Sequence, residues 1–261
     1  MSDVLEAARK KLLRALEHAR ASDKLAAEYR DSRPFEIVRL SDGTEEFRIT
    51  SRPRIDISVL AGEILYQCRS ALDHLFFELV HREYGASLPK NLVIASQFPL
   101  LNKPPSGYSV PVPKDKLLAK EGLFNWVPDD AYTFIESVQP YHGRDAGHRA
   151  LRILAKLSNI DKHRHLTAVA VIPKSHETLV NRERNVSTVL GLELHDGAQI
   201  KRLWHPPEIA YGEVEVERKI VLQIAFKEPE LGFSQRVPLE QVTHHLPLHV
   251  LQIVNVFQRF L

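Results

Sequence analysis

The chain has 261 residues, 44% hydrophobic and 26% charged, so it is long and apolar enough to bury a core and is not expected to be disordered. Its net charge of +2 excludes a large basic field over the whole molecule, and any nucleic-acid partner must be held by a local patch. Its single cysteine, Cys68, excludes an internal disulfide and a cysteine-built zinc site, and suits the reducing cytosol.

The N-terminal residues MSDVLEAARKK are charged and contain no apolar signal segment. No apolar run reaches the roughly 20 residues of a membrane span. The sequence also lacks a phosphate loop, a dinucleotide fingerprint and a nucleophile elbow. It therefore predicts a cytoplasmic protein that crosses no membrane and takes no cofactor or metal.

Helices and one hairpin are predicted in the first half of the chain. Apolar residues three and four apart predict a helix over residues 3–29. FEIVRL and EEFRIT flank an Asp-Gly turn and predict a β-hairpin over 35–50. A second long helix is predicted between Pro53 and Gly85, where glycine is a stop signal. The proline-rich segment 98–113 predicts a surface loop.

The second half combines helices with strands. A short helix is predicted from Pro128 to Pro140, followed by a helix over 145–163. Hydrophobicity then alternates with a period of two, which predicts antiparallel strands over 166–172, 186–195 and 214–226. A final helix is predicted over 239–260, in which Pro247 either kinks the helix or restarts it.

This order of elements predicts an α+β fold, with a helical bundle packed with a small antiparallel sheet. No clean linker separates helices from strands, so the prediction is a single domain over 1–261. Its helical core would comprise about 1–165 and 239–261, and its strand-rich insertion about 166–238.

The helical segment 61–81, AGEILYQCRSALDHLFFELVH, carries the first candidate site. On a helical wheel, Arg69 and Asp73 lie at the edge of an apolar arc, and His74 lies on the polar side, about 140° from Arg69. Arg69 and Asp73 are spaced to form an i,i+4 ion pair, which would leave His74 as a solvated surface residue.

The spacing Arg69-x4-His74 resembles the R-x4-6-H motif of HEPN domains, helical bundles of which many are metal-independent ribonucleases. The resemblance implies that His74 moves a proton at the RNA 2′-hydroxyl or the leaving oxygen. It implies that Arg69 grips the phosphate and stabilises its developing charge. It also implies that two subunits pair and bring both motifs into one cleft.

The segment SNIDKHRH carries a second constellation. Asp161 projects onto the buried face of its helix, where a carboxylate must be paired or hydrogen-bonded. Arg69 is a suitable partner, so a contact between the two helices is predicted. The combination of R-S-A-L-D-H with N-I-D-K-H-R also resembles an uncharacterised group of bacterial proteins, which implies only that both segments belong to one unit.

The other face of the same helix forms a basic stripe. Its members, at spacings of three and four, are Arg149, Arg152, Lys156, Asn159 and His163. Such a stripe is typical either of a surface that tracks phosphates or of an ordinary solvated helix face.

The prediction of function is a HEPN-like, metal-independent ribonuclease or RNA-binding protein that forms a homodimer. Arg69 and His74 would be catalytic, and Arg152, Lys156 and His163 would hold phosphate. The alternative is a non-catalytic binding or interaction module in which Arg69, Asp73 and Asp161 form a structural polar network. A third possibility is a small-molecule pocket between bundle and sheet.

Overall fold

The computed structural model describes residues 3–41, 45–143, 145–181, 186–194, 198–200, 214–219, 222–228 and 236–261. Helices and antiparallel strands are both present, which confirms the predicted α+β class. No helix in these ranges is both long and apolar enough to cross a membrane.

The chain divides into two compact units, where the sequence predicts one domain. The first unit comprises Met1–Asp23, Ser58–Leu166 and Glu228–Leu261, and the second comprises Lys24–Ile57 and Thr167–Lys227. The predicted hairpin therefore belongs with the strands and not with the helical core. The physical reason is strand pairing between residues far apart in the chain, which local periodicity does not reveal.

Helices make up most of the first unit. The α-helices are α1 (Asp3–Asp31), α2 (Ile55–Tyr84), α3 (Lys90–Ala95), α4 (Lys114–Leu117), α5 (Asp129–Ser137), α6 (Ala146–Asp161) and α7 (Leu246–Phe257). Among the described residues, 3₁₀ helices occupy Lys120–Trp126 and Pro140–His142, and a π-helical turn, Gln241–His245, precedes α7. The sequence patterns predict the long helices but miss α3, α4 and the 3₁₀ helix at 120–126, which are too short to show a periodic signal.

The apolar arc of α2 forms the centre of the first unit. Its fully buried members are Ile64, Leu65, Cys68, Leu72, Leu75, Phe76 and Leu79. Burying one large aliphatic side chain stabilises a fold by about 1.5–3 kcal/mol. This arc therefore determines which face of α2 is inward and leaves Arg69 and Asp73 at the boundary with solvent.

Helix ends follow the predicted signals. Gly85 adopts a φ of 72° after α2, and its N–H donates to the carbonyl of His81. Asp145 caps α6 by accepting from the backbone N–H of His148 at 2.8 Å. Pro247 lies in the first turn of α7, which continues the π-helical turn with helical backbone at His245 and Leu246, so it does not interrupt the final helix.

Antiparallel strands form the second unit. In the hairpin, β1 (Phe35–Arg39) pairs with β2 (Glu45–Ile49), and residues 42–44 of the predicted turn lie outside the described residues. A short strand that the sequence did not predict, β5 (Ala198–Ile200), pairs with β2. The longest strand is β3 (Ala168–Asn181).

Three strands pair with β3 in antiparallel fashion, namely β4 (Val186–Leu194), β6 (Val214–Lys219) and β7 (Gln223–Phe226). The predicted strand over 214–226 thus corresponds to two separate strands, which pair with opposite ends of β3. A further short strand, β8 (Val237–Pro238), belongs to the first unit.

Candidate functional site

Arg69 and Asp73 form an ion pair one turn apart on α2. Arg69 Nε lies 3.1 Å from Asp73 Oδ2, and Arg69 Nη2 lies 3.1 Å from Asp73 Oδ1. Arg69 Nη2 also donates to the carbonyl of Phe98 at 2.8 Å, and the Phe98 N–H donates to Asp73 Oδ1 at 2.9 Å. We call these four contacts the Arg69–Asp73 clamp. The two contacts with Phe98 hold the start of the proline-rich loop against α2.

His74 lies on a different face of α2 from the clamp. Its side chain is exposed, whereas Arg69 and Asp73 are half-buried. Partial burial lowers the pKa of His74, the positive charge of Lys11 lowers it further, and Asp73 acts in the opposite direction. His74 does not line the cavity that Arg69 lines, so the two residues of the HEPN-like motif are not brought into one pocket of a single chain.

The predicted contact between Arg69 and Asp161 is wrong. Arg69 is occupied by Asp73 and Phe98, while the Asp161 carboxylate faces Gly62, where an added Cβ would lie 2.6 Å from Oδ1. Burial raises the pKa of Asp161, the nearby His165 lowers it, and Glu63 raises it. The two helices do approach each other, but at a glycine. An isolated glycine in a helix, a known sign of close packing, is the signal that predicts this position.

A cavity of about 310 Å³, the Arg69 cavity, lies between α2, the proline-rich loop and α6. Its polar lining residues are Arg69, Asn102, Lys156, Ser158, Asn159 and Lys162. Asn102 Oδ1 is buried and has no hydrogen-bond partner in the part of the chain that the structure describes. The cavity therefore offers cationic groups to a ligand, while the Asn102 Oδ1 atom itself is closed to solvent.

A second cavity of about 330 Å³, the Arg152 cavity, lies on the N-terminal half of α6. Its lining residues include three arginines, Arg149, Arg152 and Arg236. Arg152 Nη2 donates to the carbonyl of Pro140 at 2.8 Å, and Arg152 Nε is buried without a partner in the described residues. No aspartate or glutamate from the described ranges lines either cavity.

The charge of Lys156, in the Arg69 cavity, interacts with the charge of Arg152, in the Arg152 cavity. It lines the Arg69 cavity, and its pKa is lowered by burial first and then by the positive charges of Arg152 and Lys103. Lowering of a lysine pKa by neighbouring cations means that positive charge is concentrated at this point. The two cavities thus belong to one basic face of α6.

Four of the five residues in the predicted stripe line one of these cavities. Arg149 and Arg152 line the second, and Lys156 and Asn159 line the first. His163 lies beyond the end of α6, where its N–H donates to the carbonyl of Ile160, and it lines neither cavity. Asp73 reaches the Arg69 cavity only through Arg69.

Other lining residues were not predicted from the sequence. Asn102 comes from the proline-rich loop, Lys162 from the C-cap of α6, and Arg236 and Gln241 from the C-terminal segment. They are isolated polar residues in irregular segments, so no sequence pattern distinguishes them. Only the packing of these segments on α6 brings them to the cavities.

The remaining candidates for chemistry are restricted by their surroundings. In the described ranges, no group of three histidine, cysteine, aspartate or glutamate residues could hold a metal ion. Cys68 is fully buried, and burial raises the pKa of its thiol, which disfavours the reactive thiolate.

Comparison with known proteins yields no match to any family model, curated protein or solved structure. Function therefore has to be inferred from the geometry and charge of the residues themselves.

Proposed function

We propose that the protein binds single-stranded RNA and that the basic face of α6 tracks the phosphate backbone. One observation carries this proposal: six cationic side chains line two neighbouring cavities, of which Arg69 is paired with Asp73, and no described carboxylate lines either cavity. A solvated helix face normally mixes both charge signs, whereas a phosphate-tracking groove concentrates positive charge.

The dimensions of the face suit several nucleotides. From Arg149 to Asn159, α6 rises by about 15 Å, at about 1.5 Å per residue. Both cavities open along this stretch. Grooves that bind single strands commonly cover about 4–16 nucleotides. With a net charge of only +2, the chain relies on this local concentration of charge for binding.

RNA is chosen as the ligand because the Arg69-x4-His74 spacing resembles the motif of HEPN domains, many of which are ribonucleases. Asn102 adds a polar residue to the lining of the Arg69 cavity.

The test is fluorescence anisotropy with a single-stranded RNA of about 12 nucleotides, within the range that such grooves cover, titrated at several salt concentrations. We expect Lys162→Gln to weaken binding and to reduce the slope of log affinity against log salt by about one. Lys90→Gln removes the same charge from a residue that lines neither cavity, and should leave the slope unchanged. Binding without salt dependence, or equal effects of the two substitutions, would refute the proposal.

RNA cleavage is the second candidate, because the Arg69-x4-His74 spacing resembles the motif of HEPN ribonucleases, in which the histidine moves a proton. In a homodimer of the HEPN type, a second copy would bring its own His74 to the cleft. Incubation of the same RNA with wild type and His74→Ala in EDTA separates the candidates: cleavage by wild type alone supports catalysis, and intact RNA with both proteins leaves binding as the function.

A further inference from the structure

The Arg152 cavity differs from the rest of the basic face in how its charges are assembled. Arg149 and Arg152 lie on one face of α6, and Arg236 is the residue that precedes β8. No described residue forms an ion pair with any of the three. A groove that only follows a phosphodiester backbone needs no such convergence of arginines from separate segments.

The charge of this cluster points to a phosphate monoester. A backbone phosphodiester carries a single negative charge, whereas a phosphate monoester carries about −1.5 to −2 at pH 7 and has three terminal oxygens. Arginine binds such oxygens in pairs through its planar fork of donors. Three guanidinium groups in one cavity therefore match a monoester more closely than a diester.

Arg152 is held in position before any ligand binds. The carbonyl of Pro140 accepts from Arg152 Nη2, and Arg152 Nε is buried without a hydrogen-bond partner among the described residues. Gly143 has a φ of 66°, and a Cβ added there would lie 2.8 Å from Arg152 Nη2. The absence of a side chain at residue 143 leaves room for the guanidinium at this position, and a Cβ there would require the Nη2 group to shift. Such preorganisation reduces the entropy lost on binding.

The cavity has room for more than a phosphate. Its volume of about 330 Å³ lies within the range of ordinary small-molecule sites, at about 300–1,000 Å³. An apolar wall is formed by Ile153, Val237 and Pro238, and Gln241 supplies an amide beside it. This combination suits a nucleoside next to its phosphate, with the base on the apolar wall.

We infer that the Arg152 cavity binds a nucleoside 5′-phosphate monoester, either the phosphorylated 5′ end of an RNA or a free mononucleotide. The RNA-end version rests on the proposed RNA binding, and the mononucleotide version does not.

The experiment compares two 3′-labelled RNAs of identical sequence, one with a 5′-phosphate and one with a 5′-hydroxyl, and reads the ratio of their affinities. Charge-assisted hydrogen bonds to the extra phosphate predict a wild-type preference of about tenfold for the phosphorylated RNA. We expect Arg236→Gln and Gly143→Ala to bring the ratio to one. Gly85→Ala is the matched control, because Gly85 has a similar φ of 72° but open space around it, and should keep the wild-type ratio.

Isothermal titration calorimetry with uridine and uridine 5′-monophosphate distinguishes the two sources. If RNA does not bind but the monophosphate binds to wild type and not to Arg236→Gln, the cavity takes free nucleotides and the proposed RNA binding fails. If both RNAs bind equally well and the monophosphate does not bind, the inference is overturned while RNA binding stands. If no probe binds, both are overturned.

Discussion

The Arg69 cavity and the Arg152 cavity differ in what holds the central arginine. Arg69 is fixed by a carboxylate, Asp73, and by the carbonyl of Phe98. Among the described residues, the hydrogen-bond acceptor for Arg152 is a neutral carbonyl, that of Pro140. The first arginine therefore has its charge compensated within the protein and acts as a structural tie. The second keeps its full charge for a ligand, as do its neighbours Arg149 and Arg236.

This difference changes the meaning of the sequence motif. The arginine of the Arg69-x4-His74 motif also begins an i,i+4 pair with Asp73, and this ion pair is what the structure displays. The basic stripe of α6, which by itself resembles an ordinary solvated face, acquires its cavities from segments distant in sequence. This contrast is tested by substituting residues whose charges pair within the protein and, separately, residues whose charges remain available to a ligand.

The largest effect is expected for Asp73→Ala. This change leaves the half-buried Arg69 without its carboxylate and the Phe98 N–H without its acceptor. We expect a loss of about 2–4 kcal/mol in the free energy of unfolding, measured by urea denaturation, because a part-buried charge and a backbone donor both lose a partner.

The control for this prediction is Glu17→Ala, which breaks the exposed pair with Arg14 on α1 and should cost less than about 1 kcal/mol. Equal losses for the two substitutions would show that the Arg69–Asp73 clamp is an ordinary surface pair.

The next effect concerns the approach of α2 to α6. Gly62→Ala places a Cβ within 3 Å of Asp161 Cγ and both carboxylate oxygens, so we expect a destabilisation of about 1–2 kcal/mol. In the Asp161→Ala background those atoms are gone, and the same substitution should stabilise by up to about 1 kcal/mol, because alanine favours helix over glycine. Urea denaturation of the four proteins measures this cycle. A destabilisation of the same size in both backgrounds would contradict the placement of Asp161.

A smaller effect distinguishes the two arginines by their charge. Arg152→Gln should reduce the slope of log RNA affinity against log salt by about one, as expected for a cation that contacts phosphate. Arg69→Gln should reduce it less, because Arg69 is already paired with Asp73 and is therefore less available to contact phosphate. Asp73→Asn, which retains an acceptor, should therefore strengthen RNA binding. Equal slopes for both arginine variants would remove the contrast between the cavities.

The smallest effect is on the titration of His74. Its folded pKa lies below the ordinary value of 6.5, so its neutral form contributes stability that is complete above pH 6.5 and is lost as the pH falls through the folded pKa. Relative to His74→Gln, the wild type should lose stability over that interval.

Lys11→Gln should raise the pKa of His74 in an NMR titration, whereas Lys10→Gln, at a lysine paired with Glu6, should change it little. No response to Lys11→Gln would place His74 away from α1.

The sequence by itself determined the long helices, the apolar arc of α2 and the α+β class. These depend on periodicity and on caps such as Asp145 and Gly85, which are local properties of the chain. It also predicted the Arg69–Asp73 pair, since residues four apart on a helix are neighbours in space. Four members of the basic stripe were found for the same reason.

Only the tertiary structure decided which segments meet α6. It placed Asp161 against Gly62 and not against Arg69. It separated His74 from the Arg69 cavity. It also brought Asn102 and Arg236 to cavities that no local pattern predicts. The pairing of β5 with β2 likewise joins residues about 150 positions apart. In each case the deciding quantity is the space between packed elements, and a helical wheel gives only the direction in which a side chain points, without the neighbour that it meets.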